Sequence, residues 1–338
     1  MMTKTSEILR ETDIRPDHLM EGQSERFLAD IKRLLARRSE FVEVPCPSCD
    51  HPDAPVAFTK YELSYRRCPT CDTTFVNPRP SPAVLEEYYA TSENYAYWAA
   101  HIFPASEEVR RERIFRPRVE QLLTICRRFG VHPGVLLEVG AGFGTFCEEL
   151  AKTQFFERIV AVEPTPDLAA RCRSRGIEVV EAPIEQVSSD AIRADVVACF
   201  EVLEHLFSPR DYIRQCSRML NPGGLLLITC PNGHGFDVSV MGVVSDTVDV
   251  EHLNYFNPDS LAELTTACGL EVLEVLTPGQ LDAELVRKKV LVGAMDLTGQ
   301  EFLQRVLIDR WDDVGAAFQQ FLATNKLSSH MWLVARKP

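Results

Sequence analysis

The sequence predicts an α/β fold in which helices cover a parallel sheet, preceded by a small cysteine-rich module. Three observations predict this fold. From about residue 134, continuous apolar runs alternate with amphipathic helical segments, a pattern typical of parallel strands that are buried on both faces. A glycine-rich turn follows the first of these runs. Two C-x-x-C pairs lie upstream in a proline-rich segment.

The same patterns divide the chain into four segments. Residues 1–40 are predicted to be an N-terminal helical segment, because apolar residues recur at helical spacing over 24–38. Residues 41–80 hold the cysteine pairs, and the pattern of residues 81–130 predicts a helical linker or lid. Residues 131–338 are predicted to form the main α/β domain, with a helical insertion at about 282–327 before the last strand.

Composition limits the classes of function. The chain has 338 residues, of which 45% are hydrophobic, and a net charge of −13. The hydrophobic fraction is ordinary for a folded protein, and the charge argues against a polyanionic partner such as DNA or RNA. The first 18 residues lack the apolar core of a secretory signal, and no apolar run of about 18 residues predicts a membrane span. We therefore expect a cytoplasmic protein with free thiols.

The two cysteine pairs predict a metal site. Cys46, Cys49, Cys68 and Cys71 have the spacing C-x2-C-x18-C-x2-C, in which each turn presents two thiolates and the four complete a tetrahedral site. Protein ligands then fill every position of the ion, so the predicted ion is structural zinc. Two disulfides or a redox C-x-x-C are the alternatives. Neither explains why both pairs lie in a segment with little core of its own.

The turn after the first strand predicts a nucleotide-like cofactor. Gly140, Gly142 and Gly144 are spaced two apart, whereas a dinucleotide fingerprint needs its third glycine one position later. Glu138, on the strand before the turn, does nothing useful for a diphosphate but suits a cofactor that carries positive charge. Glu163 ends the next strand, where a carboxylate can accept the hydroxyls of a ribose.

Four segments, in order and spacing, resemble the class I S-adenosylmethionine-dependent methyltransferases, and in particular the group that modifies small molecules such as quinone precursors and sugars. They are "LLEVGAGFGTF", "VAVEP", "CFEVLEHL" and "LNPGGLLLITCPN", and the resemblance covers about residues 130–277. It implies a Rossmann-like sheet of seven strands, six parallel and one reversed. The segment "HMWLVARK", residues 330–337, is then expected to be the reversed strand at the edge of the sheet.

The resemblance also implies which residues bind S-adenosylmethionine. The glycines let the backbone pass close to the methionine part, Glu138 holds the ammonium group and Glu163 holds the ribose hydroxyls. Phe200 and Glu201 are expected beside the sulfonium and the amino group. The implied cofactor-binding set is Glu138, Gly140, Gly142, Gly144, Glu163, Phe200 and Glu201. Weaker candidates, for the adenine pocket, are Ile184 and Glu185.

Methyl transfer to a hydroxyl or a carbon acid needs a base near the strand ends. Two Glu-His pairs supply candidates: Glu204-His205 after the fourth strand and Glu251-His252 in the loop after the fifth. His205 can instead pack or cap locally, whereas His252 follows a glycine-rich loop that suits acceptor binding. His234 is a poorer third candidate. The predicted catalytic residues are His205, His252 and Glu251.

A zinc-binding N-terminal module followed by this core is similar to the C-methyltransferases of deoxysugar nucleotides, in which a histidine of a Glu-His pair is implicated as the base beside a keto group. Two features depart from that group. Asp249 stands where a tyrosine is usual, and only about 60 residues follow the sixth strand. The resemblance implies a sugar or nucleotide-sugar methyltransferase of cell-surface polysaccharide or secondary-metabolite biosynthesis, with C- or O-methylation left open.

The aromatic stretch "YYATSENYAYW", residues 88–98, has two interpretations. It is either a packed helix pair or a lid over cofactor and acceptor, with Tyr95 or Tyr97 reaching the substrate. A nucleotide-sugar acceptor also needs a basic contact on the protein. The candidates for that contact are Arg79, Arg110, Arg111 and Arg113.

Two other functions stay open. An RNA methyltransferase with a zinc-ribbon recognition module needs a basic face, but residues 41–80 hold four basic and five acidic residues. A non-catalytic cofactor-binding protein tends to lose the cofactor carboxylates, whereas Glu138 and Glu163 are present. We therefore expect a small-molecule partner, no nucleic acid and no membrane, and the oligomeric state stays open.

Overall fold

The N-terminal part of the protein is helical. The computed structural model describes residues 10–338, so the first nine residues of the predicted N-terminal helical segment lie outside the described residues. Helix α1 is Glu11–Ile14 and helix α2 is Asp17–Ala36, followed by a 3-10 turn at Arg38–Glu40. Ile31 and Leu34 of α2 are buried in a hydrophobic cluster with residues of the module and lid that follow.

The cysteine-rich module is a small antiparallel β structure. Its strands are β1, Phe41–Val42; β2, Val56–Lys60; β3, Leu63–Arg67; β4, Thr74–Val76; and β5, Arg79–Pro80. Strand β1 pairs with β5, and β2, β3 and β4 form an antiparallel sheet. The two cysteine turns lie before β2 and between β3 and β4, so the sheet holds both turns at one end.

Helices connect the module to the main domain. They are α3, Pro82–Thr91; α4, Glu93–Tyr97; α5, Phe103–Arg110; and α6, Arg116–Phe129, with π-helical turns at Trp98–Ile102 and Arg111–Phe115. From Glu93 to Phe129 the helical conformation is continuous. Helix α6 ends at Gly130, whose left-handed φ of 65° is the usual cap of a helix C-terminus.

The main domain is built on a seven-stranded sheet. Its strands are β6, Val135–Val139; β7, Arg158–Val162; β8, Glu178–Val180; β9, Ala194–Phe200; β10, Leu220–Pro231; β12, Glu271–Leu276; and β13, His330–Arg336. Their spatial order is β12-β13-β10-β9-β6-β7-β8. The pairings confirm the predicted α/β fold with six parallel strands and one reversed strand.

Strand β13 is the reversed strand, as predicted, but the prediction that it forms the edge is wrong. It pairs antiparallel with β10 on one side and with β12 on the other, so β12 is the edge strand. Residues 331–335 of β13 are buried. A continuous apolar run of this kind needs cover on both faces and a neighbour on both sides, which the interior position supplies.

Both faces of the sheet are covered by helices, and the first core strand shows how. Leu136 packs in a cluster with Leu122 of α6, whereas its neighbour Leu137 packs on the opposite face with Ile213 and Leu261. The covering helices are α6 together with α7, Thr145–Ala151; α8, Pro166–Ser174; α9, Pro209–Met219; and α11, Pro258–Ala267, whereas α10, Phe236–Met241, follows β10 and packs with a later helical segment. Short 3-10 turns lie at Ile184–Gln186, Leu203–His205 and Gly242–Val244.

The module and the main domain share a sheet. Strand β11, Asn254–Tyr255, follows β10 and α10 in the chain but pairs antiparallel with β4 of the module. The loop before β11 also bonds to the module, because the Tyr65 hydroxyl donates to the carbonyl of Asp249 at 2.7 Å. The module therefore supports the loop that precedes β11.

A helical insertion lies between β12 and β13. It consists of α12, Asp282–Leu291; α13, Glu301–Gln304; a π-helical turn at Arg305–Asp309; and α14, Trp311–Thr324. These elements form a small hydrophobic cluster of their own with α10. Across residues 10–338, every helix is too short or too polar to cross a lipid bilayer.

Candidate functional site

The four cysteines of the module form one compact cluster. Cys46 Sγ lies 3.5 Å from Cys71 Sγ, and Cys49 Sγ lies 3.5 Å from Cys68 Sγ. A tetrahedral ion with Zn–S bonds of about 2.3 Å holds its sulfur atoms roughly 3.8 Å apart, so the cluster has the size that such an ion needs. All four are free thiols in the structure, an arrangement that fits a metal site better than two disulfides.

The two cysteine turns are tied to the first turn of α11. Ser48 Oγ, between the first two cysteines, donates to the carbonyl of Ser260 at 2.8 Å. Asn257 Nδ2 donates to the carbonyl of Cys71 at 2.9 Å, and the Asn257 side chain also caps α11. A metal in the cluster would therefore stabilise the contact between module and main domain as well as the module itself.

The glycine turn follows β6 with the backbone that its sequence predicts. Gly140, Gly142 and Gly144 have φ values of 76°, 55° and 71°, a region that residues with a Cβ rarely adopt. At Gly140 a Cβ would lie 2.6 Å from the Val202 side chain, whereas at Gly142 it would meet nothing within 4 Å. Gly140 is therefore required for close packing, and Gly142 leaves space open beside the turn.

That space is part of a cavity of about 170 Å³. Glu138 and the glycine turn form one side of it, and Phe103, Phe143 and Phe200 form aromatic walls. The Phe103 and Phe143 rings are stacked with centroids 3.6 Å apart, so the helical region 81–130 closes over the turn. The cavity lies at the carboxyl ends of β6 and β9, which is where open α/β sheets bind their ligands.

Glu138 is a buried carboxylate at the base of this cavity. Its Oε2 accepts from Cys147 Sγ at 2.8 Å. Burial raises the pKa of Glu138 to about 8, although the Cys147 hydrogen bond and the charge of Arg118 lower it. The Arg118 guanidinium lies over the Phe200 ring, 4.5 Å from its centroid, and lines the same cavity. The cavity thus presents one acidic and one basic group.

The other predicted cofactor residues occupy neighbouring strand ends. Glu163 accepts from the main-chain N–H groups of Gly142 at 2.8 Å and Thr165 at 3.0 Å, so it links the ends of β6 and β7. Glu201 has a left-handed φ of 56° and accepts from Thr229 Oγ1 at 2.5 Å. The weaker candidates separate: Ile184 is buried in the core and Glu185 is exposed.

His205 and His252 meet although 46 residues separate them. Their ring centroids are 4.7 Å apart. His252 Nδ1 lies 2.8 Å from the carbonyl of Thr247, and His205 Nδ1 lies 3.1 Å from the carbonyl of Glu251. Because a carbonyl only accepts, Nδ1 carries a proton in both rings, which in a neutral imidazole leaves the lone pair on Nε2. Burial lowers the pKa of His205 to about 3.

Two carboxylates, the buried Glu204 and the half-buried Glu251, flank the histidines. Glu204 is 1% exposed, with Oε1 4.0 Å from His205 Nε2 and no hydrogen-bond partner at Oε2. Glu251 Oε1 accepts from the Tyr88 hydroxyl at 2.8 Å and from Asn94 Nδ2 at 3.3 Å. Burial and the nearby charge of Asp249 raise the pKa of Glu251 to about 7. Glu251 therefore joins the loop before β11 to the helices α3 and α4.

The aromatic stretch 88–98 places its tyrosines on different sides. The Tyr89 hydroxyl lies 3.3 Å from His205 Nδ1, and Tyr95 packs edge-on against Tyr89 with centroids 5.5 Å apart. Tyr97 instead packs under the guanidinium of Arg26 in α2. Tyr95 thus lies on the histidine side of the helices, and Tyr97 faces the N-terminal helix.

Several sequence candidates lie away from the cavity at the glycine turn and from the His205–His252 pair. His234 Nε2 is 2.7 Å from the Asp72 carboxylate of the module. The His234 side chain therefore contributes to the contact with the module. Arg79 is fully buried and donates to the main-chain carbonyls of residues 76, 207 and 253. Arg111 pairs with the carboxylates of residues 107, 148 and 149. Arg110 donates to Ser106 Oγ and to the carbonyl of residue 14.

Sequence reasoning missed Arg118 and the contacts of Glu251. Arg118 lies on the otherwise apolar face of α6 that carries Phe115, Val119 and Leu122. A single arginine on an apolar stripe was the available signal, because a buried charge needs a partner or a ligand. The bonds from α3 and α4 to Glu251 had no comparable signal, since they join segments more than 150 residues apart.

Comparisons with known proteins agree with this geometry. The profile of a family described as "Methyltransferase domain" matches residues 108–275. A probable S-adenosylmethionine-dependent methyltransferase of Mycobacterium tuberculosis is 30% identical over 137 residues, which are 40% of this chain and 47% of that protein. A ubiquinone biosynthesis O-methyltransferase of Xanthomonas oryzae pv. oryzae is 33% identical over 104 residues, 29% of this chain and 43% of that protein.

The chain thus covers less than half the length of each of these curated relatives. Among solved structures, an S-adenosylmethionine-dependent methyltransferase from Clostridium acetobutylicum is similar with a TM-score of 0.48 at 11% identity, covering 72% of this chain and 98% of that one. The family match includes the glycine turn, Glu138, Glu163 and the strands that carry them. Residues 108–275 of this chain are therefore similar to methyltransferase domains, and the sheet order is that of the class I, S-adenosylmethionine-dependent fold.

Proposed function

We propose that the protein transfers the methyl group of S-adenosylmethionine to a polar small molecule, a sugar or nucleotide-sugar. One observation carries the proposal: the cavity at the glycine turn and the His205–His252 pair both lie at the carboxyl end of strand β9. Phe200 lines the cavity, and His205 is in the turn that follows directly. The residues that would hold the cofactor and the histidines proposed to act on the acceptor are therefore close in the chain at this strand end.

The cavity suits the methionine part of S-adenosylmethionine. That part carries an ammonium group and a carboxylate, and the cavity offers Glu138 and Arg118. The ammonium group and the carboxylate of the cofactor then each have a partner of opposite sign, which is how buried charges are stabilised. Glu163, bonded to the turn through Gly142, is our candidate for the ribose hydroxyls. When bound, the cofactor supplies an activated methyl group on a cationic sulfur.

We assign His252 as the base that takes a proton from the acceptor. Its Nδ1–H donates to the carbonyl of Thr247, so Nε2 is the atom that can accept the proton. His205 is a weaker base because its pKa is about 3. It acts instead as a positioning residue, since its Nδ1–H holds the carbonyl next to His252. Glu251 connects the same loop to the lid.

The sugar part of the proposal rests on the polar character of the acceptor side. Histidine, carboxylate and tyrosine groups lie together on that side, namely His205, His252, Glu204, Glu251 and Tyr95. Such groups recognise hydroxyl and keto groups by hydrogen bonds. Arg79, Arg110 and Arg111, which the sequence offered as contacts for a diphosphate, bond instead to other groups of the protein. The proposal therefore concerns the sugar itself.

We propose zinc as the ion of the four-cysteine cluster, in a structural role. Four thiolates are the ligand set that zinc favours in closed sites, and Cys46, Cys49, Cys68 and Cys71 leave no ligand position for substrate. An RNA-binding role for the module is disfavoured by its charges. Lys60, Arg66 and Arg79 donate to main-chain carbonyls, and Arg67 pairs with Asp72.

The test is methyl transfer from labelled S-adenosylmethionine to a panel of nucleotide-linked keto- and hydroxy-sugars, with total RNA in a parallel reaction. Label in a sugar product would support the proposal, and mass spectrometry would locate the methyl group on carbon or oxygen. Label in RNA would overturn it. Cofactor binding by calorimetry without transfer to any acceptor would favour a non-catalytic binding protein.

A further inference from the structure

The helical insertion between β12 and β13 concentrates exposed apolar side chains. Among residues 10–338, five of the eleven exposed large hydrophobic residues lie within 282–327: Leu291, Val292, Phe302, Phe321 and Leu327. Single exposed apolar residues are ordinary, whereas a concentration of them marks an interaction surface. Phe302 and Phe321 are 68% and 52% exposed, which is unusual for phenylalanine on a protein without a partner there.

A groove of about 310 Å³ lies on this surface. Val306 lies in its floor, and Phe302, Val314 and Phe318 line its sides. Val314, Phe318 and Phe321 recur at helical spacing on α14, so one stripe of the helix carries both the groove and a projecting ring. An apolar cavity of about 150 Å³ accommodates benzene, so the groove has room for a phenylalanine ring.

The charges of the insertion differ from those of the rest of the chain. Residues 282–327 hold seven acidic and six basic residues, a net charge of −1, whereas the remaining residues carry −12 of the total of −13. Two copies of so acidic a chain repel each other on most approaches. When two copies approach through their insertions, the fewest like charges are brought together, so the electrostatic repulsion is smallest on that approach.

The charged residues beside the groove also suit a two-fold contact. Arg305 and Arg310 line the groove, and Asp309, Asp312 and Asp313 lie in the same segment. A two-fold interface brings each patch against itself, so it needs projections, hollows and both signs of charge on one surface. The insertion provides all of these.

We propose that the surface formed by the groove and Phe321, here called the insertion face, binds a second copy of the same chain in a two-fold dimer. In this arrangement an exposed phenylalanine of each copy enters the groove of the other. Arginines of one copy then lie opposite aspartates of its partner. The proposal is independent of methyl transfer, because it uses no residue of the cofactor cavity or of the histidine pair.

The test is the molar mass of the full-length protein by sedimentation equilibrium from 1 to 100 μM. The expected mass is twice the chain mass of 38.1 kDa. Phe302→Asp and Phe321→Asp are expected to raise the dissociation constant about 100-fold, as loss of a central aromatic contact does. Val56→Asp is the matched control, since Val56 is 51% exposed but lies in the module, and it should leave the mass unchanged.

A mass of one chain at 100 μM would overturn the proposal. Equal weakening by Val56→Asp would also overturn it, because the contact would then lie elsewhere. A mass that keeps rising with concentration would refute the two-fold geometry in favour of open-ended association. Far-ultraviolet circular dichroism and cofactor affinity identify any variant that fails to fold, and both should match the wild type because the substituted side chains are exposed.

Discussion

Replacing Glu138 with glutamine should stabilise the folded protein in a strongly pH-dependent way. The folded-state pKa of Glu138 is about 8, raised from the usual 4.5 by burial. An acid whose pKa is raised by folding binds more protons in the folded state, so its contribution to stability falls as pH rises between 4.5 and 8. Above pH 8 the loss is complete, and below pH 4.5 it is absent.

The magnitude follows from the two pKa values. One pKa unit corresponds to about 1.4 kcal/mol. The cost of Glu138 is therefore about 1 kcal/mol at pH 5 and about 3 kcal/mol at pH 7. Glutamine keeps the shape and an acceptor for the Cys147 thiol but carries no charge. The free energy of unfolding of Glu138→Gln minus that of the wild type should rise by roughly 1.2 kcal/mol per pH unit between pH 5 and 7.

Urea unfolding at pH 5, 6, 7 and 8 measures this difference directly. The slope with pH isolates the titration from any constant effect of the substitution. Glu185→Gln serves as the matched control, because Glu185 is an exposed glutamate and should give a flat difference. A flat difference for Glu138→Gln would refute the reasoning, since Glu138 would then ionise in the folded protein as freely as in the unfolded chain.

The same variant should bind S-adenosylmethionine more weakly. A hydrogen bond to a charged group contributes about 1.5–3 kcal/mol, so loss of the carboxylate should raise the dissociation constant by roughly 10- to 100-fold in calorimetry. Wild-type binding at pH 7 should release a proton, because the bound ammonium group favours ionised Glu138. Unchanged affinity with higher stability would place the ammonium group away from this residue.

Three further predictions test the other parts of the site. Gly140→Ala should lower the free energy of unfolding by about 2–4 kcal/mol, because the backbone there is left-handed and the new Cβ would lie 2.6 Å from Val202. Gly130 also has a left-handed backbone but has open space around it, so Gly130→Ala should cost about 1–2 kcal/mol. Equal losses in urea titrations would contradict this prediction. His252→Gln should lower kcat by about 100- to 10,000-fold with cofactor affinity unchanged, and His205→Gln should lower it less; the reverse order would exchange their roles. Cys46→Ser should reduce bound metal, measured by elemental analysis, from about one ion per chain to near zero.

Local patterns predicted the strands and the glycine turn of the main domain. The turn, Glu138 before it and Glu163 after β7 lie in one continuous segment, so their spacing is set by β6 and β7 alone. The reversed strand shows the limit. Its direction followed from the resemblance, but its position between β10 and β12 depends on which edge the chain reaches after the insertion, and no local pattern records that.

The acceptor side could be predicted only as a set of residue types. His205 and His252 were candidates, but their contact depends on a loop whose position is set by distant segments. Arg118 was missed because its value as a ligand depends on how α6 crosses the sheet. In each case the missing information is a contact between segments far apart in the chain, which the hydrophobic pattern constrains only through the packing of whole elements.

The contacts of the cysteine module support the loop that carries His252. In the loop that carries His252, the carbonyl of Ser245 accepts a hydrogen bond from the Lys60 ammonium, and the carbonyl of Asp249 accepts one from the Tyr65 hydroxyl. The loop ends in strand β11, which pairs with β4 of the module. Three separate points of the loop thus rest on the module. None of the residues that line the cavity at the glycine turn belongs to the module. Removal of the metal should therefore reduce methyl transfer while leaving affinity for S-adenosylmethionine nearly intact, and equal loss of both would show that the module supports the whole domain rather than this loop.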